Sequence, residues 1–98
     1  MSFSEPNPES DAYPDHERPV EAWCDQTHVH VRLADNREIV TPLWWYPRLL
    51  GASPAQRNNV HLMMDGVHWP DVDEDLSVRG MLRGWKYPKA VAPSIAAE

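Results

Sequence analysis

Four acids occupy five positions just after a histidine and a tryptophan, in His68-Trp69-Pro70-Asp71-Val72-Asp73-Glu74-Asp75. Carboxylates and imidazole at this density can hold a divalent cation. A calcium EF-hand loop fails on spacing. With Asp71 as the first ligand, Asp73 and Asp75 fall on the third and fifth positions, but Leu76 stands where the sixth-position glycine belongs and Leu82 where the twelfth-position glutamate belongs. A site built from His61, His68 and one of these acids has no diagnostic ligand spacing. The acids also lie just ahead of an expected helix N-terminus, where negative charge is stabilised by about 0.3–1 kcal/mol per group. They suit hydrogen bonds from turn backbone, or from Arg48 or Arg57. A structural role for Asp71, Asp73, Glu74 and Asp75 is preferred to partner contact, and both are preferred to metal binding or catalysis.

Arg48 and Arg57 can pair with those acids internally, because guanidinium matches a carboxylate bidentately. They can also meet a partner's carboxylate. His28 and His30 share one strand face with Arg32. Two histidines at i,i+2 can chelate a metal, but a solvated pair usually does not. Ser53 and Ser77 are explained as helix caps and sit in no nucleophile-elbow context. Cys24 is the single cysteine, so it forms no internal disulfide and is read as a small apolar residue. No catalytic residues are assigned, and neither a cofactor nor a metal is called for.

The aromatic content is high, with five tryptophans beside one phenylalanine. Tryptophan must therefore supply core bulk, at about 150–250 Å² buried per ring. Adjacent Trp44 and Trp45 cannot both face inward in a regular element, so one is expected at the surface as an anchor for a protein partner or a second copy. The candidate contact set is Trp44, Trp45, Arg48, Arg57, His68 and Trp69. A second cluster, Arg79, Arg83, Trp85, Lys86 and Lys89, interleaves cations and aromatic rings in the manner of a nucleic-acid contact.

These side chains need elements to position them. Val20, Ala22 and Cys24 alternate with polar or half-buried residues, and so do Val29, Val31 and Leu33, which predicts two half-buried strands. A third strand follows at Glu38–Thr41. With Asn36 in the left-handed conformation, a three-residue loop places Val31 opposite Ile39 and Arg32 opposite Glu38, matching like with like on each face. The i,i+4 pairs Trp45/Leu49 and Tyr46/Leu50 suggest a helical turn, with Pro47 near its start and Gly51 at its end. Ser53-Pro54-Ala55-Gln56 predicts a capping box opening a helix to about Asn59. Asp65-Gly66 predicts a tight hairpin turn. Ser77 is the expected cap of a helix from Val78 to Arg83, with Leu76 and Met81 as a hydrophobic staple and Gly84 as the stop. The fold class is α+β: a small antiparallel sheet of three strands, with room for an added short hairpin, and short helices on one face.

The chain of 98 residues has a formal charge of −6. That length suits one small domain. Residues 1–19 are proline-rich, and five of their six charged residues are acidic, so this segment is expected to be a disordered tail. The domain is expected at 20–86, with a loose tail over 87–98 whose first part Trp85 and Tyr87 pin down. All of the net charge lies in residues 1–25; residues 26–75 sum to −3 and residues 76–98 to +3. This distribution leaves room for a local basic contact near the C-terminus, and it is the lack of a recognisable reading element that argues against a dedicated nucleic-acid binder. No apolar run reaches the ~18–20 residues that span a bilayer, and the N-terminus lacks a signal-peptide pattern, so a cytoplasmic protein with no membrane contact is expected.

Residues 42–84 carry PLWWYPRLLGASPAQRNN and, after a turn, HWPDVDEDLSVRGMLRG. This stretch resembles the domain-of-unknown-function family 2442, whose members typically read PL-x-W-F/Y-PRLL-x-A-S/T-x-x-QR followed by IHWP-x-x-DED-I/L-S-V-x-G-L/M-L. The resemblance implies a small α+β domain found mainly in bacteria and their phages. Some members carry an added helix-turn-helix segment, and some sit beside a small partner protein in arrangements that suggest toxin–antitoxin or regulatory pairs. It implies no catalytic residues. Trp44 departs from the pattern, standing where a small polar residue is usual. The chain runs only to Glu98, so no appended DNA-binding segment is expected. The functional expectation is a non-catalytic module, antitoxin-like or regulatory, that binds another small protein. Two alternatives are metal or anion binding at His68 and the DED acids, and nucleic-acid contact at the C-terminal basic and aromatic cluster.

Overall fold

The computed structural model describes residues 14–93. Strands β1 (Pro19–Cys24), β2 (His28–Leu33) and β3 (Glu38–Pro42) form an antiparallel sheet in that order. The expected register holds, with Val31 opposite Ile39 and Arg32 opposite Glu38. Asn36 takes φ 77°, and the loop closes through Leu33 N–H to the Arg37 carbonyl at 2.8 Å. Asparagine tolerates this left-handed conformation better than most residues do. Val29, Val31 and Leu33 are fully buried, while His28, His30 and Arg32 lie on the half-exposed face. A bulge between Pro19 and Glu21 resets β1. Ala22 and Cys24 pack against the core, and burial pushes the Cys24 thiol up to about 11, away from the reactive thiolate.

A second antiparallel sheet follows, β4 (His61–Leu62), β5 (Gly66–Trp69) and β6 (Glu74–Ser77), again in chain order. The sequence reading anticipated the hairpin but not its third strand, because the acids of Glu74–Ser77 read as a turn before a helix. They lie in β6, with Glu74 and Leu76 inward and Asp75 and Ser77 outward. The hairpin turn is also displaced. Met63 N–H donates to the Gly66 carbonyl at 2.8 Å, so the bend is at Met64-Asp65 and Gly66 begins β5. Gly66 is required for close approach: a Cβ there would lie 2.2 Å from the Leu76 carbonyl oxygen of β6.

The helices are short, and two of them, Pro54–Asn58 and Val78–Leu82, carry side-chain caps. A 3₁₀ turn at Leu43–Trp45 leads to α1 (Pro47–Leu50), with Pro47 at the first helical position. The expected i,i+4 pairing fails in part. The chain changes conformation at Tyr46, so Tyr46 and Leu49 are buried while Leu50 is 47% exposed. Helix α2 (Pro54–Asn58) has the expected capping box: Ser53 Oγ accepts from Gln56 N–H at 3.1 Å, and Gln56 Oε1 accepts from Ser53 N–H at 2.9 Å. Helix α3 (Val78–Leu82) is capped by Ser77 Oγ, which accepts from Gly80 N–H at 2.9 Å, and its staple residues Leu76 and Met81 are both buried. It ends in a Schellman motif. Trp85 N–H reaches the Gly80 carbonyl at 2.9 Å and Gly84 N–H the Met81 carbonyl at 3.2 Å, with Gly84 at φ 77°.

One apolar cluster joins both sheets and the helices, including Val31, Leu33, Leu49, Trp69, Val78 and Met81. The ordered part begins before the expected boundary at residue 20. Asp15–Glu17 form a 3₁₀ turn, and the Arg18 and His16 carbonyls accept from Ala34 N–H at 2.8 Å and Asp35 N–H at 3.1 Å. The rest of the expected N-terminal tail, residues 1–13, and the end of the C-terminal tail, residues 94–98, lie outside the described residues. Tyr87 N–H donates to the Trp45 carbonyl at 3.0 Å, so Trp85–Tyr87 are pinned to the domain as anticipated. No helix among the described residues is long and apolar enough to cross a membrane.

Candidate interaction surface

The four acids of the DED segment diverge. Asp71 Oδ2 accepts from the Asn59 amide at 3.1 Å. Asp73 takes φ 54°, and its carbonyl accepts from Arg48 Nη1 at 2.7 Å. Asp75 pairs with His68 Nδ1 across the β5–β6 ladder. Glu74 points the other way and is buried. His61 and His68 sit opposite each other in β4 and β5, ring centroids 6.4 Å apart. Among the described residues, no three His, Cys, Asp or Glu side chains form a group that could hold a metal ion. The geometry gives the metal reading of His68 and the acids no support.

Arg57 is half-buried and Arg48 exposed, and their partners are carbonyls and the Tyr87 hydroxyl rather than the DED carboxylates. Arg57 donates from Nε to the Leu49 carbonyl at 2.9 Å and from Nη2 to the Leu50 carbonyl at 2.6 Å. It thereby adds donors to the last two carbonyls of α1, of which that of Leu49 also accepts from Ala52 N–H at 3.1 Å. Arg48 ties the Asp73 carbonyl to the Tyr87 hydroxyl, which accepts from Nη2 at 2.9 Å. Trp69 was a candidate for partner contact; it is fully buried, and its ring N–H donates to the Arg57 carbonyl at 3.0 Å. Inward parity in β5 places it in the core, so it cannot touch a partner.

The histidine face of the first sheet is closed by its own turn. Asp25 Oδ1 accepts from the N–H groups of Thr27 at 2.8 Å and His28 at 2.7 Å, and Oδ2 meets His30 Nε2 at 2.7 Å. These contacts, the Thr27 N–H first and then His30, hold the Asp25 carboxyl well below the usual carboxylate range. Trp23 stacks on His30 with centroids 5.0 Å apart.

A different surface lies where α1, β6, α3 and the C-terminal segment meet. Trp44 and Trp45 are half-buried and edge-on to each other at 6.4 Å. Trp85 is 58% exposed and Tyr87 37% exposed, with Leu50 and Leu82 exposed as well. The exposed tryptophan is therefore Trp85. The basic cluster is partly engaged with rings: Arg83 Cζ lies 5.6 Å from the Trp85 centroid and Lys86 Nζ 5.8 Å from that of Trp45. Arg79 and Lys89 are exposed. Beside these residues is a cleft of about 230 Å³ lined by Tyr46, Glu74, Met81, Trp85, Lys86 and Tyr87. Among the described residues, none donates a hydrogen bond to Glu74 Oε1. Burial raises the Glu74 carboxyl above its ordinary range, against the pull of the Arg48 charge. The sequence reading missed this cleft. Its signals were the period-2 parity of Glu74 with Leu76, and the glycine at position 80, whose missing Cβ leaves room for the Trp85 ring: a Cβ would lie 3.0 Å from Trp85 Cε3.

Two small sheets with short capped helices and a single core define a small α+β domain. A family described as Protein of unknown function (DUF2442) matches residues 19–87, and the chain belongs to that family. The chain is also similar to a solved structure, that of a protein of unknown function from Rhodospirillum rubrum, at 31% identity and a TM-score of 0.65, covering 74% of this chain and 93% of that one. No curated protein matches the sequence.

Proposed function

We propose that this protein is a non-catalytic interaction module, an antitoxin-like or regulatory cytoplasmic partner of another small protein. The reading rests on one observation, the exposed aromatic surface at Trp85 and Tyr87. Tryptophan, tyrosine and arginine are the residues that dominate binding energy at protein interfaces. Here the rings are held in place before any partner arrives. Trp85 is fixed by the Schellman turn and flanked by Arg83, and Tyr87 is fixed by Arg48 and the Trp45 carbonyl. Preorganised side chains lose less freedom on binding. The histidine–carboxylate pairs, Asp25–His30 and His68–Asp75, are each engaged within a turn or a strand pair, which suits a binding role better than acid–base chemistry.

The test is co-purification from the native cell followed by a binding titration with the recovered partner. The expected result is that Trp85→Ala weakens binding by a hot-spot increment of at least about 2 kcal/mol, while the thermal midpoint stays put. Undiminished binding by Trp85→Ala would exclude this surface. Self-association lost in the same variant would instead make the partner a second copy of the chain.

A further inference from the structure

The cleft beside Trp85 holds a buried acceptor without a donor. Glu74 is only 6% exposed, and its Oε1 has no hydrogen-bond partner among the described residues. A buried charged acceptor left unpaired is costly. Three neighbouring donor side chains face other groups. Tyr46 O–H donates to Thr41 Oγ1 at 3.0 Å. Arg48 serves the Asp73 carbonyl and the Tyr87 hydroxyl. Lys86 Nζ stands over the Trp45 ring. No described residue supplies that donor, and Glu74 itself lines the cleft, so a donor can arrive there from a bound molecule.

The rest of the lining states what kind of donor fits. Trp85, Tyr87 and Tyr46 present aromatic rings, whose faces attract cations. The volume of about 230 Å³ falls below the roughly 300–1,000 Å³ of pockets for drug-sized ligands, and suits a group the size of one side chain. We infer that this cleft binds the N–H-bearing cationic end of an unbranched chain, an alkylammonium or guanidinium, with Glu74 Oε1 accepting the hydrogen bond and Trp85 and Tyr87 as walls. The inference stands apart from the interaction-module reading, since the cation can be a free small molecule or a lysine or arginine side chain.

The experiment titrates the full chain with n-butylammonium, n-butylguanidinium and tetramethylammonium, following tryptophan fluorescence and the Trp85 indole NMR signal. The first two are expected to give saturable shifts. Tetramethylammonium, with no N–H, binds at least about tenfold more weakly, and Glu74→Gln, checked for folding by circular dichroism, loses about tenfold for the N–H cations. Trp85→Ala, a change at a largely exposed ring, weakens binding without unfolding the domain. Lys86→Ala keeps or tightens it, because a competing cation is gone. Absence of saturation, equal affinity in Glu74→Gln, or loss of binding in Lys86→Ala (the mark of an anion site) would each overturn the inference. A capped Gly-Arg-Gly tripeptide that binds more tightly than n-butylguanidinium assigns the cation to a protein chain. The reverse order assigns it to a small molecule, and both orders support the cation chemistry.

Discussion

Asp25 and Glu74 are carboxylates at the ends of strands in the two sheets, and the chain treats them in opposite ways. Asp25 is exposed and accepts from two backbone N–H groups, a hydroxyl and a histidine, all within five residues. Glu74 is buried and leaves one oxygen unpaired. The contrast extends to the whole of each sheet. β1–β3 close their polar face with neighbours, such as Arg32 to Glu21 at 2.9 Å and Arg37 to Asp35 at 2.8 Å. β4–β6 have one such pair, His68 with Asp75, and are otherwise tied to distant segments, by Arg48 at the Asp73 carbonyl and by the Trp69 ring N–H at the Arg57 carbonyl. A sheet that satisfies itself locally is a scaffold. A sheet that depends on long-range clamps can leave a group unsatisfied, and that is where the candidate site lies.

A large difference is expected from Gly66→Ala. The added Cβ meets the β6 backbone, which cannot rotate away as a side chain can, so the cost should reach or exceed the ~1–3 kcal/mol typical of overpacked cores. The corresponding tight spot of the first sheet, Asn36, should accept glycine with a change of under about 1 kcal/mol, since glycine adopts φ > 0 freely. Urea denaturation of both variants checks the pair. A mild Gly66→Ala would mean that the β5–β6 pairing yields more readily than its geometry implies.

Tryptophans give the next contrast. Trp69→Ala removes a fully buried ring and should cost about 3–5 kcal/mol. Trp23→Ala removes a half-exposed ring stacked on His30 and should cost closer to the ~0.5–1.5 kcal/mol of an aromatic pair. Arginines follow with a smaller gap. Arg57→Met keeps the stem but loses two charge-assisted bonds to carbonyls, a loss of about 1.5–3 kcal/mol. Arg32→Met breaks an exposed ion pair worth about 0–1 kcal/mol. Equal costs within either pair, read from thermal or urea melts, would erase the distinction between the sheets.

What could be read from the sequence divides along the same line. The β2–β3 register followed from matching faces, and the capping box at Ser53 and the staple at Leu76/Met81 followed from local chemistry. Strand β6 was hidden because its inward position is a glutamate, which reads as solvated unless the fold buries it. That Arg48 and Arg57 bond within the chain was legible from residue type, but their carbonyl partners were not, since those depend on where α1 ends and where Asp73 turns. One of Trp44 and Trp45 is expected at the surface because adjacent tryptophans in a regular element must diverge. The 3₁₀ turn at Leu43–Trp45 lets both be half-buried instead, and exposure passes to Trp85, whose place is set by the close of α3.

The smallest effects carry opposite signs in the two regions. Asp25 titrates below its ordinary value in the folded chain, so its contribution favours folding at neutral pH. That contribution is complete above the unfolded carboxyl value of about 4 and is lost as pH falls further. Glu74 titrates above its ordinary value, chiefly because it is buried. Its ionisation therefore works against the fold: stability is highest below about pH 4, declines as pH rises through the raised folded value, and is level beyond it. Asp25→Asn should lower the urea midpoint at pH 7 and converge with the parent at low pH. Glu74→Gln should raise the midpoint at pH 7, with the gain vanishing below about pH 4. Urea midpoints measured from pH 3 to pH 8 give both curves. A destabilised Glu74→Gln at pH 7 would mean that Oε1 has a donor in the folded chain after all, and the second sheet would then be as locally complete as the first.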